Sequence, residues 1–134
     1  MIKLDRVLVI ERDEASAART AAPLEKANLE VFTAVGVRDG LRKLAQRNPD
    51  LIIMAQELPP INGEDACLRI RQATYILIMV LGPAEKEFDA FEIGVDSYMI
   101  RPPSDIEMVA KAHALLRRKI KVHYISEDKF EVRN

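Results

Sequence analysis

Chemistry in this chain of 134 residues would have to come from a few polar clusters that directly follow apolar runs. Glu11, Arg12 and Asp13 close the run "RVLVIE" and follow it. Gln56 and Glu57 follow "DLIIMA", which ends at Ala55. Gly82 follows Leu81 at the end of "YILIMVL", and Arg101 follows "SYMI", ahead of Pro102 and Pro103. These clusters hold carboxylates and guanidinium groups, which pair with one another, but no nucleophile beside a base, so the pattern speaks against an enzyme. Ala55, at the centre of the set, has no reactive group at all. His113 and His123 are far apart with no third ligand in view and read as surface histidines. The five glycines are scattered rather than gathered into a phosphate-cradling loop, which argues against a nucleotide or flavin site. Neither a metal nor another cofactor is expected.

The elements that must position these residues alternate regularly. Strand-like runs at 6–11, 29–34, 50–55, 75–81 and 97–100 are separated by helical stretches at 14–27, 37–47, 63–73, 85–94 and 104–118. Asn28 is a candidate left-handed terminator of the first helix, and Pro23 inside it removes a hydrogen bond and bends it. Ser104 with Glu107 three residues on forms a capping box, ahead of an apolar stripe of Met108, Val109, Ala112, Leu115 and Leu116. The strands are apolar throughout rather than alternating, which predicts a parallel sheet covered on both faces. The run 75–81 is the most apolar and is expected to be the deepest strand. Five βα units predict a doubly wound α/β fold, a three-layer α/β/α sandwich around a five-stranded parallel sheet. Sites in such sheets lie outside the carboxyl ends of the strands, where the polar clusters fall.

Composition sets few other limits. Apolar residues make up 49% and charged residues 31%, as in an ordinary globular domain. The net charge of −1 points to neither nucleic acid nor membrane. No apolar run is long enough to span a bilayer, and "MIKLDR" has no signal-peptide core. The lone Cys67 excludes an internal disulfide, fits a reducing cytoplasm, and reads as a small apolar filler on a helix.

Over about residues 5–118 the chain resembles the receiver domain of two-component response regulators, a flavodoxin-like (βα)5 fold. "VLVIERDE" is similar to that family's first strand and acidic pair. "PDLIIMAQELPPINGED" is similar to its phosphorylation strand and the Pro and Gly turn that follows. "GVDSYMIRPP" is similar to its fifth strand and Lys-Pro turn. The resemblance implies phosphoryl transfer to an Asp at the third strand end. Mg2+ would be held there by that Asp and the acidic pair. A hydroxyl residue on the fourth strand and a Lys before the Pro would bind the phosphoryl oxygens, and an aromatic residue on the fifth strand would report the change.

This chain departs from that pattern at nearly every position. The acceptor position holds Ala55. Glu11 fits the first acid, but Arg12 takes the place of the second, and its charge would oppose a divalent cation. The hydroxyl position falls on Leu81, or on Met79 if the following loop is not shortened. Arg101 replaces the Lys, and Tyr98 keeps the aromatic position. The resemblance therefore implies a degenerate receiver, a pseudo-receiver. Arg12 is expected to act as a built-in cation paired with Glu11, Asp13 or Glu57. Glu57 lies two residues past the acceptor position, and a pairing role suits it better than an acceptor role.

The winged-helix transcription regulators of this family pair their receivers through the fourth helix, fifth strand and fifth helix. On that basis a homodimer through the 85–118 face is expected, with Asp96, Ile106, Glu107, Lys111 and Arg118 on it. Residues 119–134, "KIKVHYISEDKFEVRN", read as a linker or the start of a C-terminal winged-helix domain. DNA would be bound only by that further domain. Two functions are expected to compete. One is a phosphorylation-independent transcription-regulation module acting by dimerisation. The other is a stand-alone interaction domain that binds a partner protein or small ligand.

Overall fold

The computed structural model describes residues 3–118, and the expectations for 119–134 and for His123 lie outside them. Five strands run along the chain: β1 (Arg6–Glu11), β2 (Glu30–Val35), β3 (Leu51–Ala55), β4 (Leu77–Gly82) and β5 (Ser97–Ile100). All neighbours pair in parallel in the order β2-β1-β3-β4-β5. Helices α1 (Glu14–Lys26), α2 (Gly36–Arg47), α3 (Ala66–Ala73) and α4 (Glu87–Ile93) connect them, and α5 covers residues 105–118. A short 3-10 turn, Ala84–Lys86, leads into α4.

The continuous apolar strands put one core on each face of the sheet, as expected of a doubly wound fold. On one face Val7, Val9, Ile53, Met79 and Leu81 meet Leu24 of α1 and Met108, Ala112 and Leu116 of α5. On the other, Leu8, Ile10, Ile52 and Val80 meet Val37 of α2, Cys67 and Ile70 of α3, and Ala90 of α4. Each such side chain taken from water contributes about 1.5–3 kcal/mol before chain entropy is counted.

Helix ends follow local chemistry. Asp13 caps α1 by accepting from the Ser16 amide at 2.7 Å. Asn28 and Asn48 take left-handed conformations past α1 and α2, with φ of 65° and 51°. Ser104 accepts from the Glu107 amide at 3.2 Å and starts α5. Helix α1 passes through Pro23, which lacks the amide for the i to i−4 bond, and ends one turn later at Lys26.

Three expectations are corrected. The central strand is β3, fully buried over all five residues, not the more apolar β4. Strand β4 begins only at Leu77, and Tyr75, counted as part of its run, is fully exposed. Helix α3 starts at Ala66 rather than 63, because Asn62 and Gly63 turn with positive φ and Ile61 and Glu64 bridge back-to-back before the Asp65 cap.

Candidate functional site

The strand order reverses direction between β1 and β3, so a crevice opens above their carboxyl ends. Glu11 is the last residue of β1, and its side chain is only 1% exposed. A carboxylate so placed must find partners. Its Oε1 accepts from Arg101 Nη2 at 2.7 Å and from the Thr20 hydroxyl at 3.0 Å. Arg101 follows β5 in the turn that carries a cis Arg101–Pro102 bond, 90 residues along the chain from Glu11. The pair thus bridges the crevice from β1 to the β5–α5 turn. Glu11 Oε2 and Arg101 Nε are buried without hydrogen-bond partners among the described residues. Arg101 Nε has Glu57 Oε1 at 3.8 Å.

Arg12 does not take the expected part toward Glu11. Its side chain is 46% exposed, and it reaches only Asp13 at 3.8 Å and Glu57 at 3.9 Å. The chain direction at the end of β1 sends Glu11 inward and its neighbour outward, so the guanidinium that meets Glu11 is Arg101. Asp13 is held below the usual carboxylate range, chiefly by the Ser16 amide it caps and then by the Ser16 side chain. Glu57, half exposed, stands between Arg12 and Arg101 as their shared carboxylate.

The remaining positions are packed. Ala55 is fully buried, and its partner in register is Leu81, also fully buried. Met79 is likewise inside. Tyr98 is buried, and its hydroxyl donates to the Pro83 carbonyl at 2.6 Å. Burial, followed by the nearby Cys67 and Glu57, raises its pKa to about 12. Gly82 explains how the ring fits. A Cβ there would collide with the Tyr98 hydroxyl and stand 2.5 Å from Gln56 Cβ. Cys67 is buried against Gln56, and burial lifts its thiol to about 12, as suits a filler rather than a nucleophile.

Sequence reasoning missed Thr20, and it placed Gly82 at a strand end without its role in seating Tyr98. Thr20 shares the inward face of α1 with Ala17, Ala21 and Leu24, and a hydroxyl at that spacing among apolar residues signals a buried acceptor nearby. Nothing local shows that Tyr98 and Gln56 close on Gly82.

The expected interface residues divide. Ile106, Glu107 and Lys111 are exposed on α5, and Lys111 reaches the Tyr98 carbonyl at 3.4 Å. Asp96 is instead engaged within the chain. Its Oδ2 accepts from the Ile78 amide at 2.9 Å and from Arg71 at 3.2 Å, while Arg118 approaches Oδ1 at 3.5 Å.

The sequence profile of the family described as Response regulator receiver domain matches residues 7–113. The chain belongs to that family. This receiver domain is 32% identical over 117 residues to the alkaline phosphatase synthesis transcriptional regulatory protein PhoP of Bacillus subtilis (strain 168), covering 84% of this chain and 49% of that protein. It is 31% identical over 121 residues to the DNA-binding dual master transcriptional regulator RpaA of Synechocystis (strain ATCC 27184 / PCC 6803 / Kazusa), covering 86% of this chain and 50% of that one. The chain therefore spans about half the length of the curated relatives it matches. Among solved structures, a response regulator receiver domain protein from Clostridium thermocellum superposes with a TM-score of 0.79 at 22% identity, covering 89% of this chain and 99% of that one. A response regulator from Chloroflexus aurantiacus J-10-fl superposes with a TM-score of 0.77 at 26% identity, covering 86% and 99%.

The oxygen donors of this receiver do not fit the Mg2+ that the family resemblance implies. Glu11 is occupied by Arg101 and Thr20, Arg12 follows it, and Ala55 offers no oxygen from its side chain. Among the described residues no three His, Cys, Asp or Glu side chains come together to hold an ion. No helix among them is long and apolar enough to cross a membrane.

Proposed function

We propose that this receiver domain regulates without phosphorylation at the β3 end, as a pseudo-receiver that is not an enzyme and uses no metal. The observation that carries the reading is the Glu11–Arg101 bridge, with 2.7 Å between its charged atoms, above an acceptor position filled by Ala55. The guanidinium supplies from within the chain the positive charge that a metal and a Lys supply in the family. It holds the crevice in one arrangement.

Output then rests on surface contacts, and a homodimer through the 85–118 face suits it. Phe88 is 71% and Ile106 82% exposed there, with Phe91 and Ile100 about half exposed. Apolar groups this open on α4, β5 and α5 favour burial against a second copy. The relatives named as transcriptional regulators are about twice as long, so DNA would be reached through a further domain.

The test treats the domain with a small phosphodonor and Mg2+, reading covalent mass by mass spectrometry and oligomeric state by light scattering. The expected result is no phosphoryl adduct and a dimer indifferent to both additions. A Mg2+-dependent adduct, or a Mg2+-dependent change of oligomeric state, overturns the reading.

A further inference from the structure

A groove of about 420 Å3 runs between the first half of α1 and the β5–α5 turn, beside the Glu11–Arg101 bridge rather than above Ala55. That volume lies within the range of small-molecule sites. Its walls carry three guanidinium groups, Arg12, Arg19 and Arg101, and one carboxylate, Asp105. The other nearby carboxylates, Glu11, Asp13 and Glu57, do not line it. The groove wall is thus positive, although its wider neighbourhood is balanced.

The three arginines are not equally committed. Arg101 is tied through Nη2 to Glu11 but remains 23% exposed. Arg12 makes only two long ion pairs. Arg19 forms no ion pair among the described residues, and its Nη2 donates to the buried Ser16 hydroxyl at 3.1 Å. That hydroxyl in turn bonds the Asp13 carboxylate, so its proton is taken and Ser16 serves to position Arg19. The groove therefore gathers guanidinium donors from two separate elements, while its hydroxyls, Ser16 and Thr20, are bonded to Asp13 and Glu11. Pro102 and Pro103 add apolar surface next to them, and the buried Met108 closes the floor.

We propose that this groove binds a small organic anion, a carboxylate or phosphate monoester with an apolar body, whose charged end lies between Arg19 and Arg101. Planar guanidinium forks match both oxyanions with paired N–H bonds. Ser16 holds the Arg19 fork in place from below, and the apolar body rests on Pro102 and Pro103. Because Arg19 belongs to α1 and Arg101 to the turn before α5, such a ligand ties those two helices together. The proposal makes no use of the β3 end and stands whether or not that end is phosphorylated.

The test is calorimetric titration in phosphate-free buffer with phenyl phosphate, benzoate and benzyl alcohol, with amide NMR shifts as location. Phenyl phosphate, benzoate or both are expected to bind saturably with Kd on the order of 1 mM, given the few atoms they offer. Shifts should concentrate at residues 12–20 and 101–108, and benzyl alcohol should give none. Arg19→Gln should weaken binding about tenfold, and Arg19→Lys, which keeps the charge and loses the fork, should fall between. Failure of both anions to saturate, equal binding of benzyl alcohol, or unchanged affinity in Arg19→Gln overturns the proposal. So do shifts confined to another face.

Discussion

Replacing Arg101 by Met tests whether the Glu11–Arg101 bridge holds the crevice. The carboxylate left behind is 1% exposed, and its remaining partner is the Thr20 hydroxyl. Removing one side of a buried pair costs about 3–5 kcal/mol, because the other charge stays desolvated. The opposite deletion, Glu11→Leu, should cost less. Arg101 is 23% exposed and keeps Glu57 at 3.8 Å. The main loss is then the Thr20 partner, about 1–2 kcal/mol. The double variant should be more stable than Arg101→Met alone, since it leaves no buried charge. Urea unfolding, with the m-value checked for constancy, gives all four corners of the cycle. A domain of this size carries about 5–15 kcal/mol in total, so Arg101→Met should lower Tm by roughly 10–20 °C. A cost below about 1 kcal/mol for Arg101→Met, or a larger one for Glu11→Leu, would refute the reasoning.

Two further predictions concern the packed wall of the crevice. Gly82→Ala drives a methyl into the Tyr98 hydroxyl and Gln56, and should cost about 1–3 kcal/mol in urea unfolding. Adding Tyr98→Phe should recover part of that loss, since the hydroxyl oxygen is the atom struck. Tyr98 itself should ionise near pH 12 by tyrosinate absorbance, a step missing in Tyr98→Phe. Its pKa is raised from 10.0, so the stability it contributes is full below pH 10 and is lost as pH rises toward 12.

Local patterns carried most of the fold. Uninterrupted apolar runs announced strands covered on both faces, and Asn28 and Ser104 marked helix ends correctly, because each signal acts within a few residues. What failed depended on position in space. Strand β4 has the more apolar run, yet the crossover puts β3 at the centre and leaves Tyr75 in solvent. Of the three partners expected for Arg12, it lies near Asp13 and Glu57 but not Glu11. A strand turns successive side chains to opposite sides, and the partner of Glu11 came from the turn after β5. The bond from the Ile78 amide to Asp96 was also out of reach of the sequence, because 18 residues separate them.

The Asp96 contacts also determine how α5 works as a mechanical part. This helix starts beside Pro103, at the pocket end of the sheet, and runs back until Arg118 meets Asp96 just ahead of β5. Its 14 residues make a rod about 21 Å long. One end follows the Arg101 turn, while the other is pinned to a carboxylate that also holds α3 and β4. A small displacement at Arg101 would therefore tilt the axis of α5, with the Asp96 end as the pivot.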